Sequence, residues 1–212
     1  MYQYLIAIIG LDCHDHVYIP QKVVHPVSPT MQVHVYPASP NNIHGMDAVQ
    51  LNNQALTLDR RGDYAGAEKL HKQAVAIKES SFGLDSLQTA ISLNALGEVQ
   101  LKLGKLDDAE ANLRKAVSIR NAHQFSSFDA AVSRENLAQV LEARGNLAEA
   151  KAVRMTGAPN AISCGNYACQ GQTFTVDKLL LCSKCKSVLY CSKSCQGADW
   201  KSRHKPLCKQ AK

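Results

Sequence analysis

LKLGKLDDAEANLRKAV (Leu101–Val117) has two counterparts in the same chain, RRGDYAGAEKLHKQAV (Arg60–Val75) and EARGNLAEAKAVR (Glu142–Arg154). The three align on one glycine, at Gly62, Gly104 and Gly145, spaced 42 and 41 residues apart. Five residues after each glycine stands Ala67, Ala109 or Ala150, and seven residues before it Ala55, Gly97 or Ala138. Small residues at two fixed offsets from a turn let the flanking helices approach closely, and glycine suits the position that ends the first helix. Leu93, Ala95 and Leu96, followed by Leu101 and Leu103, have the spacing of an apolar helical stripe. A period of about 40 residues with two helices per unit predicts a mainly α chain, built as a helical-hairpin repeat solenoid.

The frame sets expectations around it. The repeats are placed at residues 47–157. The third unit stops at TGAPN (Thr156–Asn160), where Gly157 and Pro159 break helices, leaving about two and a half units. Since about three units are needed to bury a continuous core, the end of the array is expected to pack on the N-terminal segment, the C-terminal domain or another chain. Arg134 breaks the pattern, standing where the other units have Leu93 and Leu51. Asn52, Asn94 and Glu135 fall at equivalent places in the first helices, as do Glu98 and Gln139. They are expected on the concave face, as a polar row that could hydrogen-bond an extended peptide or simply face water.

The residues LNALG and LGKLDDAEANLRKAV resemble the tetratricopeptide family, and the long period with LNNQAL resembles its kinesin-light-chain-like variety. That resemblance covers Asp47 to about Met155.

Upstream, residues 1–46 carry five of the eight histidines and five of the seven prolines. Pro26, Pro29, Pro37 and Pro40 remove backbone donors and favour extended neighbours, so an irregular segment is expected, with a short strand near Tyr4–Ile9. DCHDH (Asp12–His16) reads as a polar stretch of that segment and Cys13 as a free thiol. The longest apolar run, Leu5–Leu11, is too short to span a bilayer and lacks the flanks of a signal peptide, so no membrane segment and an intracellular location, cytoplasmic or nuclear, are expected.

Residues 158–212 hold seven of the eight cysteines. They fall into four close pairs: Cys164 with Cys169, Cys182 with Cys185, Cys191 with Cys195, and His204 with Cys208. Clustered thiols in a reducing compartment favour metal over disulfides. Structural zinc takes four sulfur or nitrogen donors in a tetrahedron, so eight donors fill two closed sites with none left over. Cys182 and Cys185 belong to a tight turn, and Cys191 and Cys195 lie one helical turn apart. Pro206 makes the turn between His204 and Cys208 irregular. His204 is expected to be neutral, its second ring nitrogen donating to a partner that the sequence does not reveal. Spacing alone leaves open whether the pairs form tandem or interleaved sites. So few residues cannot build much apolar core, and the segment is expected to unfold without its metal.

YCSKSCQGADWKSRHKPLC (Tyr190–Cys208), preceded by the Cys182–Cys185 knuckle, closely resembles the MYND zinc finger family. The first pair has four intervening residues where many members have two. The resemblance implies a cross-braced finger, with Cys164, Cys169, Cys191 and Cys195 on one zinc and Cys182, Cys185, His204 and Cys208 on the other. It also implies a shallow groove for short, proline-rich peptides, at positions matching Ser183, Gln196 and Trp200. The competing reading of Trp200 is that it closes the finger's small core. The prolines of residues 25–37 are candidate occupants of such a groove, in the same or another molecule.

Residues 160–212 carry nine Lys/Arg against two Asp/Glu, the charge signature of a nucleic-acid binder. Seven thiolates and two zinc ions would reduce that formal +7 to +4, and the lysines are scattered, without a recognition helix or stacking aromatics. A nucleic-acid-binding regulator is therefore the alternative to the leading expectation, an adaptor that docks protein partners through short peptides. No paired acids or nucleophile–base motif appear, and closed metal sites leave no position for substrate, so no enzyme activity is expected. A methyltransferase-related role is a distant third, because the chain has no room for a SET domain.

Overall fold

The computed structural model describes residues 40–123, 127–171 and 173–208. Six helices form three antiparallel pairs: α1 (Pro40–Arg60) with α2 (Tyr64–Phe82), α3 (Leu87–Lys102) with α4 (Leu106–Ala122), and α5 (Ser127–Ala143) with α6 (Leu147–Met155). Successive helices pack on one another along the array, as a repeat solenoid requires. The helix bonds of α1 begin at Pro40, ahead of the boundary drawn at Asp47. Proline is well placed there, because the first turn of a helix has no use for its missing N–H. The strand expected at Tyr4–Ile9, Cys13, DCHDH and the prolines before Pro40 lie outside the described residues.

The small-residue frame explains how the helices close. Ala55, Ala67, Ala109, Ala138 and Ala150 are all fully buried, and Gly97 is buried with them. A Cβ built on Gly97 would stand 2.5 Å from the Cγ of Leu113, itself fully buried, so only glycine lets α3 lie this close to α4. Each repeat turn runs through its glycine in the left-handed region, as at Gly104 with φ 73°. Asp63 caps α2 by accepting from the Gly66 N–H, and Ser86 caps α3 by accepting from the Thr89 N–H. The core of the array is divided among clusters: Ala55, Ala67 and Val99; Val75, Ala90, Leu93, Leu96 and Ile119; and Leu113, Leu137, Val140 and Leu141.

One pair of positions recurs with changing chemistry. In the first unit His71 Nδ1–H donates to Asn52 Oδ1 at 2.9 Å, and Asn52 Nδ2 donates on to Ser92 Oγ at 2.9 Å. The same two positions in the third unit are Arg154 and Glu135, joined by two bonds of 2.7 and 2.8 Å. In the second unit they are Leu113 and Asn94; Leu113 is core, and Asn94 instead accepts from Ser133 and Asn136.

α6 spans nine residues and ends at Met155. Beyond it the chain leads into a small domain: a short 3-10 turn (Val176–Lys178), a hairpin of β1 (Leu180–Leu181) and β2 (Leu189–Tyr190), α7 (Lys193–Asp199), a wider π turn (Trp200–His204) and α8 (Lys205–Cys208). Among the described residues no helix is long and apolar enough to cross a membrane.

His71 gives the solenoid a pH dependence. Burial lowers its pKa to about 4, against about 6.5 in an unfolded chain. The unfolded chain therefore binds this proton more tightly, and stability is lost as the pH falls from about 6.5 to about 4, by up to roughly 3 kcal/mol. In urea unfolding across that window, wild type is expected to lose stability relative to His71→Gln. Parallel pH profiles for the two proteins would contradict this assignment.

Candidate metal centre

The small domain gathers its eight donors at two points. Cys164, Cys169, Cys191 and Cys195 form one group and Cys182, Cys185, His204 and Cys208 the other, with the ligand atoms of each group within 4.8 Å of one another. The first pair thus meets the third and the second meets the fourth, which is the cross-braced arrangement rather than the tandem one.

Local structure explains how each donor arrives. β1 and β2 pair with Leu180 opposite Tyr190 and Leu181 opposite Leu189, and the Cys182 N–H donates to Val188 O at 2.9 Å. The intervening turn closes through Lys186, at φ 56°, bringing Cys185 back beside Cys182. Ser192 caps α7 by accepting from the Cys195 N–H, which sets Cys191 and Cys195 on one side of the first turn. The first knuckle docks on the hairpin where the Gly165 N–H donates to Leu189 O at 2.8 Å. A Cβ at Gly165 would lie 2.3 Å from Val188 Cγ1, so the four-residue spacing between Cys164 and Cys169 is accommodated against a bare glycine.

Pro206 does not distort the last turn as expected. It stands inside α8, a regular α-helical turn that continues directly from the helical residues before it. The irregularity lies earlier, in the π turn from Trp200 to His204, which carries His204 into the second donor group.

The spacings suit a tetrahedral ion. Sulfurs bound to one zinc at about 2.3 Å lie about 3.8 Å apart. Here Cys169 and Cys191 are 3.6 Å apart, Cys191 and Cys195 3.5 Å, and Cys182 and Cys208 3.9 Å. Cys185 Sγ lies 3.4 Å from His204 Nε2, which fits the shorter zinc–nitrogen bond. The seven cysteines of the two groups are free thiols. Burial pushes the Cys164 thiol well above its ordinary range and Cys208 up to about 12. At Cys195 burial also acts upward, but hydrogen bonds involving Asn166, Ser192 and neighbouring thiols outweigh it and bring it down to about 7. Thiols so raised stay protonated unless a cation takes the proton's place, which is what a metal does.

The finger is seated on the repeats by buried charge. Glu142 of α5 is fully buried; its Oε2 accepts from Arg203 Nη1 at 2.5 Å, and its Oε1 lies 2.7 Å from Arg154 Nη1. Arg154, also buried, reaches Ser187 of the finger through the Ser187 carbonyl and hydroxyl, both at 3.3 Å. Arg203 bonds Asp199 through two nitrogens, at 3.0 and 2.9 Å, and the Tyr190 hydroxyl donates to Asp199 at 2.7 Å. Burial acts to raise the Glu142 pKa, but Arg154 and Arg203 overcome it and hold the carboxyl below its ordinary value. Burial likewise opposes charge on Arg154, and the carboxylates of Glu135 and Glu142 more than restore it. A second tie joins the Tyr167 hydroxyl to Glu98 Oε1 at 2.8 Å. Arg134, the break in the repeat frame, donates to the carbonyl of Ala161, where the chain enters the finger.

These contacts correct one expectation. Asn94, Glu135 and Gln139 are buried and bonded within the chain, and Glu98 is engaged by Tyr167 and Lys102. Asn52 is half-buried against His71 and Ser92. The polar row is thus occupied by internal partners and by the finger, so it does not form an open peptide channel. Of the expected groove residues, Ser183 is exposed, while Gln196 and Trp200 are half-buried. The Trp200 ring packs edge-on to His204, with centroids 6.0 Å apart, and the Lys184 ammonium lies 5.3 Å from its centroid. Trp200 therefore joins the finger's core and keeps part of its surface open.

Comparison with known proteins agrees with this division. A tetratricopeptide repeat model matches residues 47–122, a second tetratricopeptide repeat model matches 131–154, and a MYND finger model matches 163–208. A stretch of 28 residues is 68% identical to part of Ubiquitin carboxyl-terminal hydrolase 19 from Arabidopsis thaliana; it covers 13% of this chain and 4% of that protein. Among solved structures, the crystal structure of BtubC (BKLC) from P. vanneervenii superposes with a TM-score of 0.51 at 24% identity, over 55% of this chain and 48% of that one. At that identity the likeness concerns the fold alone.

Removing Arg154 would leave buried Glu135 without its cation and Glu142 with Arg203 alone. Arg154→Ala is expected to lower unfolding free energy by about 3–5 kcal/mol in urea. Glu149→Ala, which breaks only the exposed pair with Arg114, is expected to change it by less than about 1 kcal/mol. Equal losses in the two variants would show that the buried pair has no special weight.

Proposed function

We propose that this chain, tetratricopeptide repeats carrying a MYND finger, is a non-catalytic protein-interaction adaptor. Its finger is held by two zinc ions and docks short, extended, proline-rich peptides. Cys164, Cys169, Cys191 and Cys195 would hold one ion, and Cys182, Cys185, His204 and Cys208 the other. The observation that carries this reading is the convergence of eight sulfur and nitrogen donors into two groups of four. Four such donors close a zinc site, whereas a catalytic zinc keeps a position for water or substrate. Bound there, zinc would supply cross-links for a domain whose apolar core is small.

Docking would fall to Trp200, with Ser183 and Gln196 beside it. A half-buried indole is fixed by its packing and still offers a face to a proline ring. Extended proline-rich segments lose little conformational entropy on binding, and aromatic surfaces suit them. Lys184, over the ring, would yield to or flank the ligand. With the polar row of the solenoid engaged by partners within the repeats and, at Glu98, by the finger, the repeats serve chiefly as the finger's mount.

The test is a calorimetric titration of the full chain with synthetic proline-rich peptides, one of them residues 25–37 of this sequence, with zinc measured on the same samples. Wild type and Trp200→Ala are expected to hold two zinc ions each, with the variant binding peptide at least about 10-fold more weakly. Unchanged affinity in the variant would overturn the groove, and fewer than two zinc ions in wild type would overturn the metal assignment.

A further inference from the structure

Glu142 stands at an unusual place. It belongs to the repeats, on α5, yet its Oε2 lies 4.0 Å from Nδ1 of His204, a member of the second donor group. Both side chains are fully buried. Among the described residues His204 Nδ1 has no hydrogen-bond partner, an uncommon state for a buried ring nitrogen. The other ring nitrogen, Nε2, points to Cys185 Sγ at 3.4 Å, so the ring is already turned with one nitrogen toward the thiols and the other toward the carboxylate. The rings of Tyr190 and Trp200 pack against it edge-on at 6.3 and 6.0 Å, which limits its swing. A shift of about 1 Å would bring Nδ1 within hydrogen-bond range of Glu142.

We propose that Glu142 is the positioning residue for His204, a carboxylate lent by the third repeat to the second metal site of the finger. It acts by holding the proton on Nδ1, which leaves the Nε2 lone pair free for the metal and fixes the plane of the ring. Carboxylates commonly play this part behind metal-bound histidines, but here the carboxylate comes from a different domain. The two arginines on Glu142, Arg154 from α6 and Arg203 from the finger, keep it ionised and in place. Metal affinity at the second site and seating of the finger on the solenoid are then coupled where both pass through Glu142. This inference rests on the two-zinc reading above.

Among the described residues the first group has no such bond from the repeats. It consists of four thiols, and the tie from its knuckle to the solenoid, Tyr167 to Glu98, involves none of them. A role in positioning His204 therefore predicts a one-sided effect, which a merely structural role for Glu142 does not.

The experiment uses the full chain loaded with cadmium, whose NMR resonance distinguishes a four-sulfur site from one with three sulfurs and a nitrogen, titrated with a competing chelator. Glu142→Gln is expected to weaken the mixed site by about 10–100-fold and to leave the four-sulfur site within about twofold of wild type. Glu135→Gln removes the other carboxylate from Arg154 without facing His204, and is expected to leave both sites within about twofold. If Glu142→Gln does not yield folded protein, Glu142→Asp, which draws the charge back from the ring, is expected to show the same one-sided loss. No loss at the mixed site, equal loss at both sites, or equal loss in Glu135→Gln would overturn the proposal. Wild type that binds fewer than two metal ions would instead contradict the two-site reading on which it stands.

Discussion

The architecture of the finger depends on bringing eight soft donors to two points. Its apolar interior amounts to a few side chains, chiefly Ile162, Val188 and Tyr190, with Phe174 and Trp200 at the margin. Such a core cannot fix the hairpin, the first knuckle and α7 relative to one another. Interleaving the four pairs solves this geometrically. Each donor group joins segments distant in the chain, so neither end of the finger can move without disturbing both. On the proposed reading the metal ions are the cross-links, and the spacing of the sulfurs is the imprint of a tetrahedron.

What the donors do within the finger, buried charge does between the finger and the solenoid. A short third hairpin leaves the array with an end to cover. The chain covers it with its own finger, through Glu142, Arg154, Arg203, Ser187 and Asp199. Buried ion pairs of this kind add little net stability over an apolar contact, but they tolerate few alternative alignments, because any displacement leaves a charge unpaired. The consequence for function is a finger seated on the repeats in one alignment, with Ser183 exposed and part of Trp200 left open.

Much of this was legible in the residues. The glycine period and its flanking small residues define the hairpins, and Ala55, Ala67, Ala109, Ala138 and Ala150 are all packed against neighbouring helices as their spacing implies. The four pairs of donors were equally plain, though only the resemblance to a known finger suggested that they interleave. The polar row misled because Asn94, Glu135 and Gln139 look alike whether they face water or a buried partner. A stronger signal lay in Arg154, nine residues after its turn glycine, where the second repeat has the core residue Leu113. A charge in a core register implies a buried counter-charge, and Glu135 and Glu142 supply it. The π turn at Trp200 leaves no pattern in the sequence, whereas the helical start at Pro40 has one, a proline at the first helical position, ahead of the boundary drawn at Asp47.

The central claim is that both donor groups are closed around metal by sulfur and nitrogen alone. Zinc-edge X-ray absorption on the purified full chain tests it most directly. Two closed sites predict an average first shell of about 3.5 sulfurs at about 2.3 Å and about 0.5 nitrogen at about 2.0 Å, with no oxygen. A shell containing water or carboxylate oxygen, or one with more than four ligands, would contradict it.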